Sequence, residues 1–173
     1  MPNHTLLNYI KAILDNMPND WLNLTTHRLD IYNESQAKTE FLDQFKSLFD
    51  SNNSEATALS ELPTAYDYIR LGHPLSSILE WTIANLHNIT SEQVISFSSQ
   101  TMPVLAILRQ NSLKNKNTQI LYTEELPEFF NSELIKRVYG YNFELKNVEN
   151  IKAISNFVGS TVLISNQDKI EVT

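Results

Sequence analysis

Along the first fifty residues apolar side chains recur at helical spacing. Leu6, Leu7, Ile10, Ile13, Leu14 and Met17 fall three and four apart and Pro18 follows, so the pattern predicts an amphipathic helix over residues 5–17. A second helix is predicted from near Ser35, a residue suited to capping it. Phe41, Leu42, Phe45, Leu48 and Phe49 make its apolar face, and Lys38, Glu40, Asp43 and Lys46 its wet one. Residues 21–33 mix periods, and 29–32 suit either a short strand or an irregular connector. The polar stretch 50–54, with adjacent asparagines, reads as a boundary or as a loop. The expected organisation is an N-terminal helical region, 1–50, and an α/β region, 55–173. A single compact unit is the alternative.

From Pro74 onward helix-like and strand-like runs alternate. Pro74 fits the first turn of a helix whose apolar face is Leu75, Ile78, Leu79, Ala84 and Leu86, widened by Trp81 and Ile83. Val94-Ile95-Ser96-Phe97 reads as a strand, 103–113 as a helix and 118–122 as a strand. Residues 128–139 then read as a helix, 142–145 as a strand, 148–157 as a short helix and 161–165 as a strand. A last strand at 169–172 would pair as a hairpin through 166–168. Apolar strands separated by helices predict an α/β fold: a central, partly parallel sheet of four or five strands with flanking helices, preceded by the N-terminal helical region.

Composition narrows the function. Thirteen Lys and Arg against twenty Asp and Glu leave a net charge of −7, which opposes binding to nucleic acid or to anionic lipid. No cysteine is present, so disulfides, thiolate metal sites and thiol nucleophiles are excluded. The start carries neither a basic segment nor an apolar core of a signal peptide, and no apolar run is long enough to span a bilayer. The expected location is the cytoplasm. Five Asn-x-Ser/Thr triplets, beginning at Asn3, Asn23, Asn33, Asn52 and Asn88, are chance matches in a chain rich in asparagine.

Familiar catalytic patterns are missing. The four histidines, at 4, 27, 73 and 87, lack the spacing of a helical metal pair, and three glycines, at 72, 140 and 159, cannot build a phosphate-binding loop or a dinucleotide fingerprint. No serine sits in a nucleophile elbow. Glu124 and Glu125, after a predicted strand, suit a general base or, more simply, acids near the start of the next helix. The densest segment is Tyr66-Asp67-Tyr68-Ile69-Arg70-Leu71-Gly72-His73-Pro74, which offers a guanidinium and phenols on an irregular loop, a combination that grips phosphate or carboxylate. Ser98-Ser99-Gln100-Thr101 adds hydroxyls and backbone N–H groups between a strand and a helix. The plainer alternatives are that Arg70 caps a helix or pairs with an acid, and that 98–101 simply caps the helix after it.

Tyr68-Ile69-Arg70-Leu71-Gly72-His73-Pro74, then Leu79-Glu80, Phe97-Ser98-Ser99 and Leu121-Tyr122, follow one another as in the pyridoxal-phosphate enzymes of cysteine and methionine metabolism. Residues 64–165 thus resemble the front of the large domain of the cystathionine synthase and lyase family. That family carries a Tyr-x-Arg-x-Gly-Asn-Pro segment and a strand ending in Ser-Ser-Gly-Met. The resemblance implies cofactor-binding roles for Tyr68 and Arg70, reaching a phosphate in a neighbouring subunit, for Ser99 in a phosphate turn, and for Tyr122 stacking on the pyridine ring.

The chain also departs from that family. Gln100 replaces the phosphate-binding glycine, and Thr123-Glu124 replaces a Gly-Gly pair. The 173 residues contain no counterpart of the aspartate at the pyridinium nitrogen or of the Schiff-base lysine. The expectation is therefore a degenerate relative or fragment that uses no cofactor and acts by binding a small anionic ligand, a protein partner or a second copy of itself. Two alternatives stand beside it: an acidic interaction protein of the inhibitor or immunity type, covering a basic partner, and an enzyme of unrecognised type with a pocket at its strand ends.

Overall fold

The computed structural model describes residues 3–22, 34–63, 73–123, 125–148 and 157–165. The chain divides into two compact units, Met1–Ser96 and Phe97–Thr173. The division falls downstream of the boundary expected near 50–54, because the helix beginning at Pro74 contributes Ile78 and Trp81 to the core of the first unit.

The first unit is built from helices α1 (Asn3–Asn16), α2 (Glu34–Asp50), α3 (Ala56–Ser60) and α4 (Pro74–His87), with single 3-10 turns at Asn19–Leu22 and Ser91–Gln93. In α1 the buried stripe is Leu6, Tyr9 and Ile13, while Leu7 and Leu14 stay half exposed at 50% and 51%. Those two lie seven residues apart on the flank, where the helical period carries them off the core-facing line. The aromatic face of α2 packs as predicted. Phe45 and Phe49 meet Trp81 of α4 edge-on at 5.5 and 5.1 Å, and Phe49 meets Tyr9 at 4.9 Å. The buried Tyr9 hydroxyl donates to the Asn53 carbonyl at 2.8 Å, and burial pushes its pKa up to about 12. Pro74 opens α4 behind His73, whose Nδ1 accepts from the Leu75 N–H at 3.2 Å. With so few glycines, asparagine supplies the left-handed backbone at helix ends: Asn52, Asn88 and Asn115 all have φ between 51° and 55°.

The second unit contains α5 (Met102–Leu113), β1 (Thr118–Tyr122), α6 (Ser132–Tyr139), β2 (Glu144–Asn147) and β3 (Ser160–Ile164). Three strands form a wholly parallel sheet in the order β2-β1-β3. The apolar run of β1 occupies the centre, buried from Thr118 to Leu121, as a strand flanked on both sides should be. Its polar side chains are satisfied: Asn111 Nδ2 donates to Thr118 Oγ1 at 3.0 Å, and Gln119 Nε2 donates across to Thr161 Oγ1 at 2.8 Å. Val104, Leu108, Ile120, Phe130, Ile135 and Phe143 make a separate core.

Several expectations require correction. The sheet has three strands among the described residues rather than four or five. Residues 94–97 form no strand: Val94 has extended backbone, φ −117° and ψ 130°, but none of the four joins the sheet. Ile95 there is 71% exposed, and both the Ser96 N–H and hydroxyl are taken by the Glu80 carboxylate, at 2.9 and 3.0 Å, instead of by a neighbouring strand. The helix expected from residue 128 starts at Ser132, because the Phe130 N–H closes a turn on the Pro127 carbonyl at 2.8 Å and Asn131 Oδ1 caps the Leu134 N–H at 2.8 Å. The second strand runs two residues later than expected. Most of the helix expected at 148–157 and the strand expected at 169–172 lie outside the described residues.

Candidate functional site

A parallel sheet points all its strand ends the same way, so the loops after the strands and the N-termini of the helices that run back gather along one edge. Here the chain runs from the central β1 to β2 on one side and then to β3 on the other, which makes the ground beside β1 a topological switch point. A cleft of about 920 Å³ opens at this edge. Val162, Ile164 and Ser165 line it from the end of β3, and Pro127, Glu128 and Phe129 from the loop after β1. Gln100, Pro103 and Ile107 close it from α5 and the turn before that helix. Its volume lies in the range of small-molecule sites, and its wall mixes apolar side chains with polar groups. Immediately after β1, Thr123 Oγ1 is buried and has no hydrogen-bond partner among the described residues.

The sequence-predicted site residues are only partly placed. Tyr68 and Arg70 lie outside the described residues, as does Glu124. Ser99 is half buried in the turn before α5, where its Oγ accepts from the Thr101 N–H at 3.3 Å and lies 3.4 Å from Thr101 Oγ1. Those local contacts organise the helix start. Tyr122 ends β1 and its carbonyl accepts the Val148 N–H at 2.9 Å. Neither Ser99 nor Tyr122 lines the cleft, although Gln100, standing in the family's glycine position, does. The residues missed in the sequence are Ile107, Glu128, Phe129 and the end of β3. Nothing in their spacing marks them, since only the strand order brings 100–107, 127–129 and 162–165 together.

A second cavity, of about 550 Å³, lies at the opposite end of the strands, with Lys116, Lys136, Asn142 and Phe143 in its wall. Both lysines follow or end helices, where they complement the negative helix terminus, and Lys136 also stands 5.1 Å over the Phe143 ring. Among the described residues no group of three or more His, Cys, Asp or Glu side chains gathers to hold a metal ion, and no helix is long and apolar enough to cross a membrane.

Charge is divided as unevenly as structure. Met1–Ser96 carries five Lys and Arg against twelve Asp and Glu, whereas Phe97–Thr173 carries eight of each. The whole net charge of −7 therefore belongs to the helical unit.

The second unit is thus a small parallel α/β sheet with a cleft at its carboxyl edge. Compared with known proteins, the chain matches no family model, no curated protein and no solved structure.

Proposed function

We propose that the protein is a binding module that holds a small molecule in the strand-end cleft of its second unit. The observation that carries this reading is the position of the cleft: a ligand-sized hollow at the switch point of a parallel sheet. Among the described residues the wall carries Gln100, Glu128 and Ser165 as its polar side chains, groups that can orient a bound molecule. A methyl NMR screen of small fragments tests the proposal. Binders should move the Ile107, Val162 and Ile164 methyl signals and should be lost in Ile107→Trp, whose indole fills the hollow from a partly exposed position. Fragments that bind only elsewhere, or that bind Ile107→Trp equally well, would refute it.

The charge division supports a second reading, in which the acidic helical unit also meets a basic protein surface. On α2, Glu40 and Asp43 are exposed, so a partner of this kind should bind more weakly to Glu40→Lys/Asp43→Lys and more weakly as salt rises.

A further inference from the structure

We infer that the cleft selects an amine: a ligand with an aliphatic or aromatic body and one protonated nitrogen directed to Glu128. This inference rests on the binding reading above and adds the chemistry of the ligand. Glu128 is the one ionisable side chain among the described residues lining the cleft, and no lysine, arginine or histidine stands there with it. The rest of that wall is mostly apolar, with Gln100 and Ser165 as its other polar side chains. A phosphate or carboxylate entering the cleft would face a like charge with no side-chain cation to offset it, while it gave up water to apolar walls. In the first turn of α5, Pro103 has no N–H and the Thr101 N–H is given to Ser99 Oγ, which leaves the Met102 and Val104 N–H groups as the backbone donors there. An ammonium gains an ion pair with Glu128 and leaves its body against Ile107, Phe129 and Ile164.

Three probes with one body separate charge from shape: phenylbutylamine, phenylbutanol and phenylbutyrate, titrated into the full chain at pH 7 and low salt with methyl NMR as readout. All three bodies should move the cleft methyls. The amine should bind about threefold more tightly than the alcohol, as befits a partly exposed ion pair, and the acid most weakly. In Glu128→Gln the alcohol should be unaffected and the gap between amine and alcohol should close. Glu128 is exposed in a loop turn, so this change leaves the fold alone. An alcohol that binds as well as the amine in the wild-type chain, or an amine preference that survives Glu128→Gln, overturns the inference and leaves the binding reading standing. Probes that move no cleft methyl overturn both.

Discussion

Replacing Gly159 by alanine strikes the pairing of β1 with β3 at its first rung. Gly159 has φ +156°, and an added methyl carbon would run into the Asn117 carbonyl oxygen and come within 2.6 Å of Phe157 Cε1. That same oxygen accepts the Ser160 N–H at 2.8 Å, next to the register pair Thr118↔Ser160. The obstacle is main chain, so relief requires the start of β3 to move away from β1. Losing the hydrogen bond and straining the backbone together should cost about 2–4 kcal/mol. Gly140 provides the control. It also has positive φ, +68°, as the residue closing α6, but nothing lies within 4 Å of an added carbon, so Gly140→Ala should cost only about 1 kcal/mol. Urea unfolding followed by far-ultraviolet circular dichroism, with amide exchange at Ile120 and Leu121, measures both. Tryptophan emission reports the other unit, since Trp21 and Trp81 are the only tryptophans. If the two variants differ by less than about 0.5 kcal/mol, the close approach at Asn117 does not carry the pairing.

Two further outcomes are expected in the helical unit. Because burial raises the Tyr9 pKa from 10.0 to about 12, the folded chain keeps a proton that the unfolded chain releases; stability is fully present below pH 10 and falls as pH rises toward 12. Tyr9→Phe should flatten the part of that fall due to Tyr9 while losing the bond to Asn53, about 0.5–1.5 kcal/mol at neutral pH; equal alkaline slopes in the two proteins would contradict it. Glu80→Ala removes the acceptor of both Ser96 hydrogen bonds and should destabilise the unit by about 1.5–3 kcal/mol in tryptophan-monitored unfolding. Glu80→Gln, which retains an oxygen acceptor, should recover part of the loss, and no difference between them would show that the carboxylate holds nothing in place.

What the sequence made legible was whatever depended on neighbours in the chain. The aromatic stripe of α2, the Pro74 start of α4 and the apolar run of β1 each stand out within ten residues. Residues 94–97 read as a strand because a short run rich in apolar residues marks a segment able to extend, but a strand further needs a partner; Glu80, sixteen residues before Ser96, supplies the hydrogen bonds there instead. The late start of α6 follows from Asn131, a better cap than the acids before it. Leu7 and Leu14 share the apolar pattern of α1 but sit at the edge of its face, where they stay half exposed. The cleft was illegible for a different reason. Its walls come from three separate segments, and only the order β2-β1-β3 unites them, whereas the motif that drew attention, around Tyr68 and Arg70, lies outside the described residues. Ser99 lies in the turn before α5 with its hydroxyl accepting from the Thr101 N–H, and Tyr122 ends β1 with its carbonyl bonded to Val148; neither lines the cleft.

The strand order also sets a timetable. The central strand of the sheet is the first of the three in the chain, and the partner on its β3 side begins at Ser160, forty-two residues after Thr118. During synthesis β1, an apolar segment with both edges unpaired, must wait for Ser160–Ile164 to emerge before the sheet closes, and parallel pairing over that separation is slow to nucleate. Until then its exposed edges are open to other chains, so newly made protein should be most prone to aggregate, and most dependent on chaperones, in the interval between the synthesis of β1 and that of β3.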